Sequence, residues 1–299
     1  MSATTYTNTS FAVLGLNGNI TPYIIDALSK HPGVKKLIVL SRPSSSASKP
    51  SSLPANVELI QVDYNDHAAL IDIFKKNATD VVISTLSNAA IWDAQKKSAL
   101  AAKEAGVKLF APSEYGIVTI GLAGKGPRGN PLADKDEFAE YLKSIELPYA
   151  RFFTGMWLRY APWAIGYDAN QKVNILGKGE TPISFTAEED TAGFIAHITT
   201  TLPLSKLSNA HFRLEGERLT IRQIAEKLDK PIEYVQAIPG SNSELRTAIV
   251  SQCEKGAGST GWDHLKQEEN PKDSEEGAGS ANKLWEGHVW KKLEDVVKL

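Results

Sequence analysis

Phe11-Ala12-Val13-Leu14-Gly15-Leu16-Asn17-Gly18-Asn19-Ile20-Thr21-Pro22 is a short apolar run, a glycine turn and the start of a helical pattern. Strand, loop and helix in that order open a dinucleotide-binding α/β unit. Such a loop needs a tight turn off the strand. It also needs backbone close enough to a pyrophosphate for the N–H groups at the helix start to bind it. Gly15 and Gly18 supply both, which sets Gly15, Asn17, Gly18, Asn19 and Ile20 at the phosphates. The spacing is G-x-x-G, with Thr21 where a third glycine would complete G-x-G-x-x-G. A side chain at Thr21 and a ring at Pro22 predict slightly wider packing of helix on strand. Taken alone, the pattern equally describes a plain strand-to-helix turn.

Working outward, residues 23–30 carry apolar side chains at helical spacing and stop near His31-Pro32-Gly33, and residues 36–40 read as a second buried strand ending in Ser41-Arg42. The residue after that strand faces the adenosine ribose in this type of unit. An acid there bonds a 2′-hydroxyl, whereas Arg42 suits a 2′-phosphate and points to NADP(H). Lys49, beyond the Ser-rich stretch 44–48, adds a second positive charge. Without that context, an arginine after a strand is usually just a solvated side chain.

Residues 57–64 read as a third strand, 68–76 as a helix, and 80–86 as a fourth strand whose unbroken apolar run marks a central parallel position. A helix over 94–105 and a fifth strand over 107–111 lead into Pro112-Ser113-Glu114-Tyr115-Gly116. The expectation is a Rossmann-type, doubly wound parallel sheet in an α/β chain. The glycine-rich stretch 121–130 is either a lid or an ordinary surface loop. Lys135 then opens a helix to residue 145, and 147–153 is a sixth strand.

From Thr154 the composition shifts to aromatics: Met156, Trp157, Tyr160, Trp163 and Tyr167. The chain therefore reads as a dinucleotide-binding domain over 1–153 and a smaller α/β substrate-binding lobe over 154–299, some of whose segments return to the sheet. In the lobe, 175–179 and 183–185 suggest short strands, Ala187-Glu188-Glu189-Asp190 an acidic helix start, and Thr220 the cap of a helix through 228. Residues 255–282 are polar and rich in Gly, Glu and Ser. They read as an exposed or conditionally ordered loop in which Trp262 and His264 could close over a substrate. Residues 291–299 read as a last amphipathic helix.

Composition bounds the function. At 299 residues and 42% hydrophobic, the chain can bury one large or two moderate cores. The balance of 33 basic against 35 acidic residues leaves no electrostatic footprint for nucleic acid or an anionic membrane, and neither partner is expected. No apolar run is long enough to span a bilayer, and the first six residues have neither a basic nor an apolar leader pattern, so a cytoplasmic location is expected. Cys253, the only cysteine, fits a reducing compartment. The histidines at 31, 67, 197, 211, 264 and 288 lie far apart without metal-ligand spacing, so no metal is expected, and nothing suggests a Ser-His-Asp nucleophile.

Several segments together carry a family likeness. They are the G-x-x-G loop, Ser41-Arg42, Val62-Asp63-Tyr64, Ser84-Thr85-Leu86, and Ala105-Gly106-Val107-Lys108 with Pro112-Ser113-Glu114-Tyr115-Gly116. Leu147-Pro148-Tyr149, Phe185-Thr186-Ala187-Glu188-Glu189-Asp190 and Leu284-Trp285-Glu286-Gly287-His288 complete the set. In them the chain resembles the NmrA-like / isoflavone reductase-like family of atypical short-chain dehydrogenases, particularly its fungal members. In reductases of that family, a lysine opening the helix before the Leu-Pro-Tyr strand lies beside the nicotinamide ribose as a general base or proton relay. Counting back from Leu147 sets Lys135 in that role. A lysine does this work only if desolvation or a neighbouring positive charge lowers its pKa; an exposed helix lysine is the plainer reading of the same residue. No tyrosine has a lysine four residues on, so the Tyr-x-x-x-Lys acid of ordinary short-chain dehydrogenases is absent.

The resemblance further implies that Ser84, Thr85 and Leu86 line the cofactor and that Pro112, Ser113 and Phe153 border its nicotinamide. Tyr115, Met156, Trp157, Tyr160, Trp163, Trp262 and His264 are the substrate candidates, although the aromatics equally describe the core of the lobe. The expected function is NADPH-dependent reduction of a small aromatic or conjugated metabolite in secondary metabolism, by a monomer or homodimer. Two alternatives stand beside it. One is a non-catalytic NADP-binding regulator, a kind of family member that tends to lack the lysine. The other is a redox-neutral isomerase or cyclase, kept open by Thr21.

Overall fold

β1 (Ser10–Leu14) is buried along its whole length, as a strand covered on both faces requires. The computed structural model describes residues 6–43, 53–126 and 129–299; Lys49 lies outside them. The chain continues through α1 (Thr21–Lys30), β2 (Lys36–Ser41), β3 (Val57–Gln61), α2 (His67–Lys76), β4 (Val81–Ser84), α3 (Lys96–Ala105), β5 (Leu109–Ala111) and α4 (Pro131–Ser144). The five strands are parallel, in the order β3-β2-β1-β4-β5. This is the Rossmann-type sheet expected from the apolar runs. Its order reverses at β1, so the binding crevice of such a sheet lies beyond the C-terminal ends of β1 and β4, where Leu14 pairs with Ser84.

Two boundaries differ from expectation near this crevice. α4 begins at Pro131, with the Asn130 side chain accepting the Leu132 N–H, because Asn is a good cap and Pro fits a first helical turn. Lys135 therefore stands in the second turn and does not open the helix. The sixth strand, β6 (Ala150–Phe153), pairs with a later strand and meets β5 only through a bridge between Tyr149 and Phe110. Pro148 accepts the Phe110 N–H at 2.8 Å but has no N–H of its own to donate, so it cannot extend the ladder toward the start of β5.

The chain then runs through β7 (Met156–Trp157), α5 (Ala161–Ala164), α6 (Tyr167–Asn170), β8 (Val173–Leu176), β9 (Ile183–Thr186), α7 (Glu188–Thr201), α8 (Leu204–Leu207) and β10 (Ala210–Arg213). It ends with β11 (Glu217–Leu219), α9 (Ile221–Leu228), β12 (Ile232–Val235), α10 (Ser243–Glu254), β13 (Trp262–Asp263), β14 (Glu268–Glu269) and α11 (Leu293–Val296). β10 is the partner of β6, β11-β9-β7 form a small sheet, and β12 pairs with β8 in parallel. Two compact units result. The first comprises Met1–Glu114, Leu122–Arg151 and Ala192–His211, and the second Tyr115–Gly121, Phe152–Thr191 and Phe212–Leu299. Leu14, Leu40, Leu70, Phe74, Phe110 and Phe138 belong to the core of the first; Leu158, Val173, Phe185, Ile224 and Val250 belong to that of the second.

Residues 255–282 are packed only in part: 257–262 are buried, whereas 265–269 and most of 271–276 are exposed, as their polar composition suggests. Ser259 and Thr260 are fully buried. The Ser259 hydroxyl accepts from Arg218 and donates to Glu269, and Thr260 N–H donates to Ser184 Oγ. Small polar residues are buried here because each finds a partner inside the unit. The tail also differs: its helix is confined to α11, because Asp190 holds the Lys291 N–H at 2.7 Å and Leu293 and Val297 are drawn into the core. Among the described residues, no helix is long and apolar enough to cross a membrane.

Candidate functional site

In the first unit, the glycine loop leaves β1 at Gly15 with φ 95°, a conformation that costs little only for glycine. A Cβ on Gly18 would stand 2.7 Å from Thr21 Oγ1 and 2.9 Å from the Thr85 carbonyl oxygen. Thr21 is fully buried, its hydroxyl 2.7 Å from Thr85 Oγ1, which itself donates to the Leu14 carbonyl at 2.9 Å. With the Thr85 proton committed to Leu14, Thr21 is the donor of the pair. The side chain in the third-glycine position is thus taken up beside Gly18 and joins α1 to the ends of β1 and β4. The N–H groups of residues 16–20 have no hydrogen-bond partner among the described residues, and α1 begins without a side-chain cap. Unpaired N–H groups at the positive end of a helix dipole suit an anion.

Ser41 closes β2 with its hydroxyl buried and unpartnered. Arg42 follows it, close enough to Tyr64 to bias the phenol's ionisation. A hydroxyl and a guanidinium in sequence suit a phosphate, so the residues present fit a phosphorylated dinucleotide. Residues 16–20 would hold its pyrophosphate, and Ser41 with Arg42 its ribose phosphate. Ser84 and Thr85 are buried at the end of β4 and its exit, and Leu86 packs on the core.

Lys135 reaches from α4 to the turn after β5, where Nζ donates to the Glu114 carbonyl oxygen at 2.7 Å. Arg151, inside β6, donates from Nε to Glu114 Oε2 at 2.9 Å and from a terminal nitrogen to Asp136 Oδ1 at 2.8 Å. Glu114, Asp136 and Arg151 are all buried. Loss of hydration holds the Lys135 pKa below its ordinary value; the Glu114 carboxylate opposes this and the Arg151 guanidinium adds to it. Burial disfavours the Arg151 charge as well, but its two carboxylates outweigh that and raise its pKa. Asp136 Oδ2 also accepts the N–H groups of Leu122 and Ala123, each at 3.0 Å, and Glu137 accepts that of Gly124. The start of the glycine-rich loop is therefore tied to α4; Pro127 and Arg128 lie outside the described residues.

Three further groups, Gln95, Arg151 and Asp136, belong to this site although no motif of the sequence singles them out. Gln95 ends a π turn, Ile91–Gln95, and its Oε1 accepts the Ser113 N–H at 3.0 Å, fixing the Pro112-Ser113 exit of β5. A π turn leaves no mark in a hydrophobic pattern. Arg151 and Asp136 did leave one: a charged residue within the apolar strand Tyr149-Ala150-Arg151-Phe152-Phe153 demands an acid, because buried charges are paired.

In the second unit, Tyr115 follows Glu114 with φ 33°, a strained conformation for a side chain of that size. Met156 and Trp157 pair with Phe185 and Thr186 of β9. Trp157 and Tyr160 have ring centroids 5.7 Å apart, and Tyr160 and Trp163 6.2 Å, so three substrate candidates form one row. The indole N–H of Trp157 is buried without an acceptor. Arg246 covers the far ring, 4.9 Å from the Trp163 centroid. The Phe153 carbonyl accepts the Leu214 N–H at 2.8 Å. His264 Nε2 lies 2.8 Å from the Val118 carbonyl, which fastens the β13–β14 hairpin to the segment following Tyr115. Trp262 is 8% exposed and its ring lies against Gly256.

A doubly wound parallel sheet, an anion-suited loop at its crevice and a buried-network lysine define a Rossmann-type α/β protein of the dinucleotide-binding class. The model of the NmrA-like family matches residues 7–250, and the chain belongs to that family. An isoflavone reductase homolog of Arabidopsis thaliana is 30% identical over 194 residues, which is 61% of this chain and 62% of that protein; the match spans less than two thirds of that relative. An isoflavone reductase of Glycine max is 30% identical over 246 residues, 74% of this chain and 76% of that protein. Among solved structures, a binary complex of leucoanthocyanidin reductase and NADPH from Vitis vinifera superposes with a TM-score of 0.74 at 19% identity, covering 96% of this chain and 97% of that one. At that identity the likeness is one of fold.

Proposed function

We propose that this protein is an NADPH-dependent reductase of a small aromatic or conjugated metabolite, with Lys135 managing the proton. The observation that carries the reading is Lys135 itself: a lysine of lowered proton affinity, held at the Glu114 carbonyl on the same unit as the anion-suited loop and Ser41-Arg42. The names of the relatives, isoflavone reductase and leucoanthocyanidin reductase, support the reaction class.

Bound NADPH would supply a hydride to an electrophilic carbon of the substrate. Residues 16–20, Ser41 and Arg42 would hold its phosphates, and Ser84, Thr85, Leu86, Pro112, Ser113 and Phe153 are the further residues assigned to it. Lys135 takes up or delivers the accompanying proton, directly or through one water, because an amine of lowered pKa exchanges protons more readily near neutrality. Glu114 holds the ammonium through its carbonyl oxygen. The row Trp157, Tyr160 and Trp163, with Met156, offers apolar faces, and the unpaired Trp157 N–H offers a donor, matching an aromatic substrate that carries an oxygen acceptor. Tyr115 and His264 complete the substrate set; Trp262 supports the hairpin that carries His264.

The test is turnover of NADPH with a panel of phenolic and enone substrates, on the wild type and Lys135→Ala. The reading expects the variant to bind NADPH and to lose turnover by at least about a hundredfold, the usual contribution of a positioned acid or base. Unaltered turnover removes Lys135 from the mechanism. Binding without turnover by the wild type across the panel favours the regulator.

A further inference from the structure

Four residues close a ring in the first unit, partly through side chains and partly through backbone. From Lys135 the path runs to the Glu114 carbonyl oxygen at 2.7 Å, through the Glu114 carboxylate to Arg151 Nε at 2.9 Å, and from Arg151 to Asp136 at 2.8 Å. Asp136 is the chain neighbour of Lys135 on α4, so the ring returns to its start. We propose that Glu114 and Arg151 are positioning residues for Lys135, the two ion pairs of Arg151 fixing the turn that carries the ammonium's acceptor against the helix that carries Lys135, and tying the loop at 122–123 to the same point. The inference rests on the reading of Lys135 as the proton-transfer residue.

The geometry requires a role for the ring beyond pairing charges. Arg151 is 2% exposed and its two acids are buried with it. A hydrophobic trio at these positions would fill the space without the desolvation cost of three charges. What the trio adds is direction. Arg151 spans β6 to grip two elements at once, the turn that supplies the Lys135 acceptor and the helix that supplies Lys135. The turn gripped at Glu114 runs directly into the strained backbone of Tyr115, a conformation that persists only where its surroundings hold it. Asp136, through its second oxygen, extends the grip to Leu122 and Ala123.

Among the described residues, the charged groups acting on the ammonium are the Glu114 carboxylate and the Arg151 guanidinium, and Asp136 stands behind them, paired with Arg151. Tyr149 stands within electrostatic reach of Arg151, Asp136 and Glu140, and Asp134 is engaged by Trp92 Nε1 at 3.1 Å. Glu114 favours the charged Lys135 and Arg151 opposes it. Removing one or the other therefore moves the Lys135 proton in opposite directions, a result that general loosening of the fold does not give.

The experiment is a magnetic resonance titration of the full chain with lysines isotope-labelled at the ε-carbon, Lys135 being assigned by the signal lost in Lys135→Met. Glu114→Gln should lower the Lys135 midpoint by about one pH unit, and Arg151→Met should raise it by a similar amount. Arg151→Lys, which keeps the charge, should return the midpoint toward the wild type. If Arg151→Met does not fold, the isosteric Glu114→Gln decides alone. An unmoved Lys135 midpoint in Glu114→Gln, or shifts of the same sign in both variants, overturns the proposal. The readout needs no substrate, so it is independent of whether Lys135→Ala abolishes turnover, which tests the underlying reading.

Discussion

Lys135 holds its proton less tightly in the folded chain than in water, because burial strips its hydration and Arg151 stands near. The unfolded chain binds that proton at the ordinary value of 10.5. Stability therefore rises with pH between the lowered folded value and 10.5, and below the folded value the full cost of the buried charge is present. Lys135→Met should gain most in denaturation midpoint at neutral pH relative to the wild type, and the gain should shrink as pH approaches 10.5; a gain that grows with pH contradicts the shift. Asp80 shows the opposite sign. Burial disfavours its charge, but the Lys108 ammonium at 2.7 Å and the N–H groups of Thr9 and Ser10 at 2.8 and 3.0 Å outweigh that and hold its pKa below the ordinary 3.8. Its contribution is present above 3.8 and is lost as pH falls through the lower folded value. Asp80→Asn should cost about 1–3 kcal/mol at pH 7, read by denaturant unfolding, and the difference from wild type should close in strong acid.

At the scale of the element, the glycine loop is where sequence and structure bear most directly on each other. The strand, the two glycines and the helix were legible in the sequence, because apolar run, turn residue and helical spacing are local properties. The bond from Thr21 to Thr85 was not, since it joins positions 64 residues apart. Thr21→Val should destabilise the protein by about 1 kcal/mol, measured by thermal unfolding, while NADPH binding survives. Gly18→Ala should weaken NADPH binding at least about tenfold, roughly 1.4 kcal/mol, because its Cβ would meet Thr21 and the Thr85 backbone; unchanged affinity would mean that this loop is not the phosphate site. The buried stretch 257–262 was illegible for the converse reason. Its polarity suggested solvent, and only the fold shows that Ser259 and Thr260 find Arg218 and Ser184.

At the scale of the whole molecule, each unit is assembled from three separate stretches of chain. The exchange falls between Arg151 and Phe152 within β6, and between His211 and Phe212 within β10, where the local pattern of either strand carries no sign of it. The family was legible because its short blocks fall in order along most of the chain. The ring of Glu114, Arg151 and Asp136 was not, because its members are scattered in sequence. The central claim is that the first unit holds a phosphorylated nicotinamide dinucleotide through residues 16–20, Ser41 and Arg42. Calorimetric titration of the wild type and Arg42→Ala with NADPH and NADH tests it most directly. The account predicts that NADPH binds at least about tenfold more tightly than NADH, a preference of roughly 1.4 kcal/mol that largely disappears in Arg42→Ala. Equal affinity for the two dinucleotides, or binding of neither, would contradict it.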